Sequence, residues 1–215
     1  MVTECKIDVL FLKCKFVLYC EVGNIYIIRL ADKSELDGVI FMGIGIIVCG
    51  LNGSGKSTLG KALSEKLRFH FIDNENLFFP KIDSNYIFAS PRSHEEAVKL
   101  LMSEVRAHEN FVYAAVKGDC GKEILPFYQY AVLIDVPKDI RLNRVRKRSF
   151  QKFGNRILPG GDLHEREEAF FDMVGSRTEY YVEEWVQSLS CQIIRIDGTK
   201  PIDENTRLII EQMQR

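Results

Sequence analysis

Long apolar runs, net charge and paired cysteines are all scarce in this chain of 215 residues. The one stretch that approaches a membrane span, Val9 to Cys20, is interrupted by Lys13 and Lys15, and a bilayer needs about 20 unbroken apolar residues. No membrane partner is expected. Lys and Arg number 29 against 30 Asp and Glu, a formal charge of −1, so no whole-molecule field draws the chain to nucleic acid. Any electrostatic function must be local. The six cysteines, Cys5, Cys14, Cys20, Cys49, Cys120 and Cys191, contain no C-x-x-C pair and no ordered spacing. Reduced thiols in a soluble, cytoplasmic protein are the expectation. No internal repeat or low-complexity tract is present.

The richest stretch is Ile44 to Thr58, IGIIVCGLNGSGKST. Its apolar, β-branched start predicts a buried strand, and Gly50-Leu51-Asn52-Gly53-Ser54-Gly55-Lys56-Ser57 follows at once as G-x-x-x-x-G-K-[ST]. A helical segment comes next, the context in which this pattern cradles phosphate. Glycines let backbone N–H groups turn inward on an anion, and the helix adds its N-terminal partial charge. Lys56 is then expected to reach the β- and γ-phosphates of ATP, and Ser57 to ligate Mg²⁺.

Residues 1–41 have strand-like pieces, Phe16 to Cys20 and Asn24 to Leu30, but no phosphate chemistry. They read either as an N-terminal extension, with Met42 as the natural start of a 42–215 domain, or as a small hairpin packed on the core. Beyond the loop, Leu59, Ala62, Leu63 and Leu67 mark one face of a helix. Phe69 to Ile72 reads as a second strand, ending at Asp73-Asn74-Glu75. Ser93 and Glu96 form a capping box that starts a helix running to about Ala107, with Ala97, Leu100, Leu101 and Val105 inward. Phe111 to Val116, Tyr130 to Val136 and Cys191 to Ile196 complete five strands alternating with helices. That pattern predicts an α/β fold with a parallel, doubly covered sheet, and Gly154 to Gly161, with Pro159 and two consecutive glycines, reads as a mobile loop.

Between Lys138 and Lys152 stand seven basic residues and one acid, Asp139. Arg141, Arg144 and Arg148, three and four apart, share one helical face, which either meets phosphate or is simply solvated. The segment from His164 to Leu189 is expected as one helix with Phe170, Val174, Tyr181, Trp185 and Leu189 near one face. Arg166 and Arg177, eleven residues apart, would then lie on a shared side. Both sit among eight carboxylates between Asp162 and Glu184, so salt bridging competes with a phosphate role, which favours Arg177.

From Ile44 onward the chain resembles the P-loop kinases of small molecules, the group that includes nucleoside monophosphate and shikimate kinases. The resemblance rests on GLNGSGKS after the first strand, on Val136-Pro137 followed by Arg144-x-x-x-Arg148, on Asp197-Gly198-Thr199 after the last strand, and on the order of elements. It implies a three-layer αβα P-loop NTPase with a five-stranded parallel sheet in the order 2-3-1-4-5, a substrate-binding insert over about 74–109 and a mobile lid over about 149–163. It implies that Gly50, Asn52, Gly53, Ser54, Gly55, Lys56, Ser57 and Thr58 hold the phosphates, that Arg144 stacks on adenine, and that Gly198 and Thr199 close around it. It further implies catalytic roles for Lys56, Arg148, Arg177 and Asp119, with Ser57 and Asp119 on Mg²⁺. Asp73 and Arg92 would hold the acceptor, through Arg92-x-x-Glu95 and Arg177-x-x-x-Tyr181, although Asp73 also suits a cap of the following turn. The Gly-Gly-Gly turn of shikimate kinases and the Asp-Gly-x-Pro-Arg turn of monophosphate kinases are both missing after the third strand, where Val116-Lys117-Gly118-Asp119 stands. An ATP-dependent phosphotransferase is the first expectation. The rival is an ATPase or nucleotide-binding regulator of the broad AAA type, which the short domain and the lack of Asp-Glu after any strand disfavour.

Overall fold

Two separate units make up the chain, Met1–Met42 and Gly43–Arg215. The computed structural model describes residues 9–11, 14–21, 24–30, 43–83 and 85–214, with side chains from Gly43 onward. In the first unit, β1 (Val9–Phe11), β2 (Cys14–Glu21) and β3 (Asn24–Leu30) form an antiparallel sheet in the order β1-β2-β3. Tyr19 pairs with Tyr26 and Phe16 with both Val9 and Arg29. A small hairpin was one of the two readings of this segment, and the sheet has a third strand. Met42, the expected natural start, lies outside the described residues.

The second unit opens with β4 (Gly45–Cys49), every residue of which is buried. It runs through the phosphate loop into α1 (Lys56–Leu67), β5 (His70–Asp73) and the short α2 (Asn74–Phe78). Then come α3 (His94–Ala107), β6 (Phe111–Ala114), β7 (Tyr128–Asp135), α4 (Lys138–Phe153), α5 (His164–Ser176), α6 (Tyr180–Gln187), β8 (Gln192–Asp197) and α7 (Ile202–Met213). The strands lie parallel in the order β5-β6-β4-β7-β8, which in chain order is 2-3-1-4-5 as the resemblance implies. Helices cover both faces, and that coverage explains why β4 and β6 are apolar throughout instead of alternating. Ile46, Val48, Leu59, Leu63, Val112, Val132, Ile194 and Ile209 form the core between sheet and helices.

Parallel order brings the C-terminal ends of all five strands to one edge. There the chain leaves β4 into the phosphate loop, β5 at Asp73, β7 toward α4, and β8 at Asp197. Ligands of open α/β sheets bind at such an edge.

Local readings hold or fail for identifiable reasons. Ser93 Oγ accepts from Glu96 N while Glu96 Oε2 accepts from Ser93 N, the predicted capping box. Leu100 was expected inward and is exposed, because the buried stripe of α3 runs through Ala97, Leu101, Met102 and Val105. The expected continuous helix from His164 to Leu189 is broken: Arg177 takes an extended conformation, φ −72° and ψ 124°, between α5 and α6. The break resets the helical phase, so Val182 and Val186 are buried while Tyr181 is exposed. Gly154 to Gly161, expected as an open loop, contains a 3₁₀ turn over Gly154–Ile157.

Candidate active site

Strand β4 delivers the phosphate loop by a direct tie to its neighbour, Gly50 N donating to Val116 O at 3.2 Å. Gly53 has φ +81°, and a Cβ there would stand 2.3 Å from the Arg141 carbonyl. The loop therefore sits directly on the first turn of α4, at a distance only glycine allows. Leu59 N donates to Gly55 O at 2.9 Å, which starts α1 and leaves its earlier N–H groups free of helical partners. Ser57 and Thr58 are exposed in that first turn.

Lys56 folds back on the loop, its Nζ donating to Leu51 O at 3.0 Å. Burial first, then the charge of Arg148, bring it down to about 8, with Arg177 adding to the effect and Asp73 opposing it. Lys56, Arg148 and Arg177 thus bring three positive charges to one loop, a field suited to a polyanion.

The basic face of α4 supplies most of that field. Arg141 is only 2% exposed. Its Nε donates to Val136 O at 3.1 Å and its Nη1 to Asn52 O at 3.4 Å, so it props the loop from beneath. Arg144 reaches across the mouth, Nη2 to Gly198 O at 3.1 Å and Nη1 to Gly53 O at 3.5 Å. The remaining bases of α4 are placed differently. Arg146 pairs with Glu168 at 3.1 Å and covers the Phe171 ring, and Lys152 meets Glu75 at 3.4 Å. Arg177 arrives from the break between α5 and α6, its Nη1 donating to Asn52 Oδ1 at 2.7 Å and its guanidinium over Tyr181. The broken helix is what turns it toward the loop. Arg166 goes elsewhere, over the ring of Tyr86.

Beside the loop lies a cavity of about 440 Å³ lined by Ser54, Gly55, Thr58, Arg144, Gly198 and Thr199 among others. Its outer wall is the turn after β8. Asp197 Oδ1 accepts from Thr199 N at 2.9 Å and Thr199 Oγ1 at 2.6 Å, bonds that hold its carboxyl below the usual range. Asn205 Nδ2 ties the same turn to α7 through Asp197 O at 2.8 Å. A Cβ on Gly198 would come within 2.4 Å of Ile134 Cγ2 and 3.0 Å of Ser54 O. The missing side chain lets the turn lie against the phosphate loop.

The expected acceptor residues have other partners as well. Asp73 caps α2, its Oδ1 accepting from Glu75 N at 2.9 Å. Arg92 Nη1 donates to Asn76 O and Leu77 O at 3.1 and 2.7 Å, closing the carbonyl end of α2. Asp119 pairs with Lys117 at 3.1 Å, and Lys117 lies over Tyr181. The charges of Asp119 and Asp73 both act on Tyr113, that of Asp119 also on Cys120 and Tyr128, and that of Asp73 also on Lys56. Arg156 makes a forked pair with Asp162 and donates to Asn85 O at 2.6 Å. It ties the residues after α4 to the segment between α2 and α3. Arg141 was expected only as one of three arginines on the basic face, and its place beneath the loop is new. Asn205 was missing from the residues expected at the site, and nothing local marks it.

A parallel 2-3-1-4-5 sheet, a phosphate loop after its central strand and a basic helix leaning on that loop define a P-loop protein built as the small-molecule kinases are. Residues 46–175 match the family described as an AAA domain, and the chain belongs to that family. The Bacillus subtilis (strain 168) protein YqaC is 29% identical over 176 residues, 78% of this chain and 96% of that protein. A shikimate kinase of Gloeobacter violaceus is 28% identical over 150 residues, 66% of this chain and 80% of its own. The crystal structure of the Bacteroides thetaiotaomicron shikimate kinase superposes with a TM-score of 0.50 at 19% identity, covering 80% of this chain and 99% of that one, a likeness of fold. No helix among the described residues is long and apolar enough to cross a membrane.

Proposed function

We propose that the protein transfers the γ-phosphoryl group of ATP to a hydroxyl or phosphate oxygen of a small molecule. The observation that carries this reading is the clustering of Lys56, Arg141, Arg144, Arg148 and Arg177 on one glycine loop that opens into a cavity of nucleobase size. The named relatives that are kinases act on a small hydroxy acid, shikimate, and support the same class of acceptor.

In this reading adenine enters the cavity between Arg144 and the Gly198-Thr199 turn, where a flat guanidinium suits stacking. The triphosphate lies over Gly50 to Thr58, whose N–H groups it engages. Lys56 then exchanges the Leu51 carbonyl for phosphate oxygens, and Arg148 and Arg177 meet charge developing on the transferred group. Asp73, at the end of β5 with one oxygen fixed by its cap, holds the acceptor hydroxyl and takes its proton. The bond between the γ-phosphorus and the β–γ bridging oxygen breaks as the acceptor oxygen bonds to phosphorus. ADP leaves with the bridging oxygen.

The exposed hydroxyl of Ser57 and the exposed carboxylate of Asp119 are hard oxygen donors and fit Mg²⁺, provided Asp119 exchanges its bond to Lys117. Bound there, the ion would screen charge on the phosphate oxygens. A coupled ADP-release assay across hydroxy acids, nucleosides and nucleoside monophosphates tests the proposal. One acceptor class should raise release well above the basal rate. A basal rate that none of them raises would favour an ATPase.

A further inference from the structure

We propose that His70, Glu104 and His108 form a binding site for a divalent transition-metal ion, with zinc the best match. His70 opens the edge strand β5, Glu104 lies in the last turn of α3, and His108 caps that helix four residues on. Glu104 Oε2 stands 2.7 Å from His70 Nε2 and 3.8 Å from His108 Nε2. One ligand atom from each residue lies within 4.8 Å of the others. The two imidazole rings are stacked face to face, with centroids 3.6 Å apart and planes 13° from parallel.

That arrangement makes a poor ordinary contact. Aromatic rings prefer offset or edge-on packing over a face-to-face stack. A metal ion binds each imidazole in its ring plane, so the two rings turn out of the stack until both nitrogens converge on the ion beside the Glu104 carboxylate. In a tetrahedral zinc site with bonds of roughly 2.0–2.1 Å, ligand atoms stand about 3.3 Å apart. The shorter spacing must open and the longer must close by roughly half an ångström each. Side chains 32%, 42% and 42% exposed have room to do so, and water has access to the fourth position.

This site is separate in place and chemistry from the Mg²⁺ of phosphoryl transfer. His70 begins β5 and Asp73 ends it, about 10 Å away at 3.3 Å per residue, so the cluster lies at the sheet edge opposite the phosphate loop. Two imidazoles and a carboxylate select zinc, cobalt or nickel, whereas Mg²⁺ prefers oxygen alone. A bound ion would pin the end of α3 to the edge strand that carries Asp73.

The test uses the full chain, stripped of metal by a chelator and titrated with Zn²⁺ without nucleotide, beside His70→Gln and His108→Gln. Both variants keep every cysteine and the whole phosphate loop. The parent should bind one equivalent more than either variant. Its melting temperature should rise by about 5–10 °C at zinc a hundredfold above the dissociation constant, a shift both variants lose and Mg²⁺ does not produce. Co²⁺ should give visible absorption bands in the parent alone. Should His70→Gln fail to fold, His108→Gln at the exposed helix end decides by itself. Equal zinc stoichiometry and shift in parent and variant, no shift in the parent, or an equal shift with Mg²⁺ would each overturn the proposal.

Discussion

Lys56 carries the greatest electrostatic strain among the residues of the site, and that strain has a direction in pH. Its ammonium is lowered from 10.5 to about 8 in the folded protein. The resulting penalty is fully present below about pH 8, where folded and unfolded chains both hold the proton, and it fades as pH rises toward 10.5. A bound polyphosphate reverses the shift. Nucleotide binding should therefore take up a proton between about pH 8 and 10.5, and affinity should fall as pH rises through that window. Titration calorimetry at pH 8.5 in buffers of different ionisation enthalpy reads the uptake, and finding the same uptake in Lys56→Ala would assign it elsewhere. That variant should also lose nucleotide-dependent thermal stabilisation while the empty protein melts no lower, since the lysine serves the ligand. Arg148 and Arg144, one turn apart, should separate in kinetics. Arg148→Ala should lower kcat about a hundredfold with a smaller change in ATP affinity, as expected when a charged donor acts chiefly on the transition state. Arg144→Ala should mainly raise the KM for ATP, since it borders the base cavity whatever the reaction stage. Both variants staying within about twofold of the parent would reduce the basic face to a solvated surface.

At the scale of elements, the segment between α2 and α3 is joined to the end of α4 and the turn after it. Tyr86, Phe88 and Phe153 pack with ring centroids 5.2–6.2 Å apart, Phe79 adds an edge contact to Phe88, and Arg156 bonds Asn85 O. Glu167, buried in α5, accepts from Tyr86 Oη at 2.8 Å and holds the cluster from below. Phe153→Ala removes two ring pairs, each contributing about 0.5–1.5 kcal/mol, and should quicken amide exchange over 77–92 and 149–163 together. Quickening confined to one segment would show that they move independently. The capping box of α3 was legible because its signal is local, Ser93 and Glu96 at fixed spacing. The break before α6 carried a signal too, Gly175, Ser176 and Thr178 in succession, all weak helix formers. The apolar spacing of Phe170, Val174 and Tyr181 overrode it, and with it went the correct inward pair, Val182 and Val186. No local pattern could have paired Arg156 with Asp162 and Asn85, because that contact depends on how the segment between α2 and α3 folds over the turn after α4.

At the scale of the whole molecule, the parallel sheet was legible because each strand of the second unit is a short apolar run and all but β6, which a 3₁₀ turn over Lys122–Phe127 follows, lead into an α-helix; the strand order came with the resemblance that the phosphate loop carries. The relation of the first 41 residues to that domain was not legible, since short antiparallel strands carry no signal of what they serve. Where the chain enters it, the second unit ties its first residues to its own segments. Ile44 N donates to Asn110 Oδ1 at 2.9 Å, Gly45 N to Gln129 Oε1 at 2.6 Å, and Phe111 N to Ile44 O at 3.0 Å. Among the described residues its main core runs from Ile46 to Ile209, with Ile44 packed against it. A chain beginning at Met42 should therefore fold and melt within a few degrees of the full chain. It should also bind ATP with unchanged affinity, because the cationic groups described around the phosphate loop, from Lys56 to Arg177, all belong to the second unit. Calorimetric melting and nucleotide titration of the two proteins side by side make the comparison. An insoluble product, or one that has lost nucleotide binding, would mean that the first unit supplies structure which the bonds at Ile44 and Gly45 do not replace.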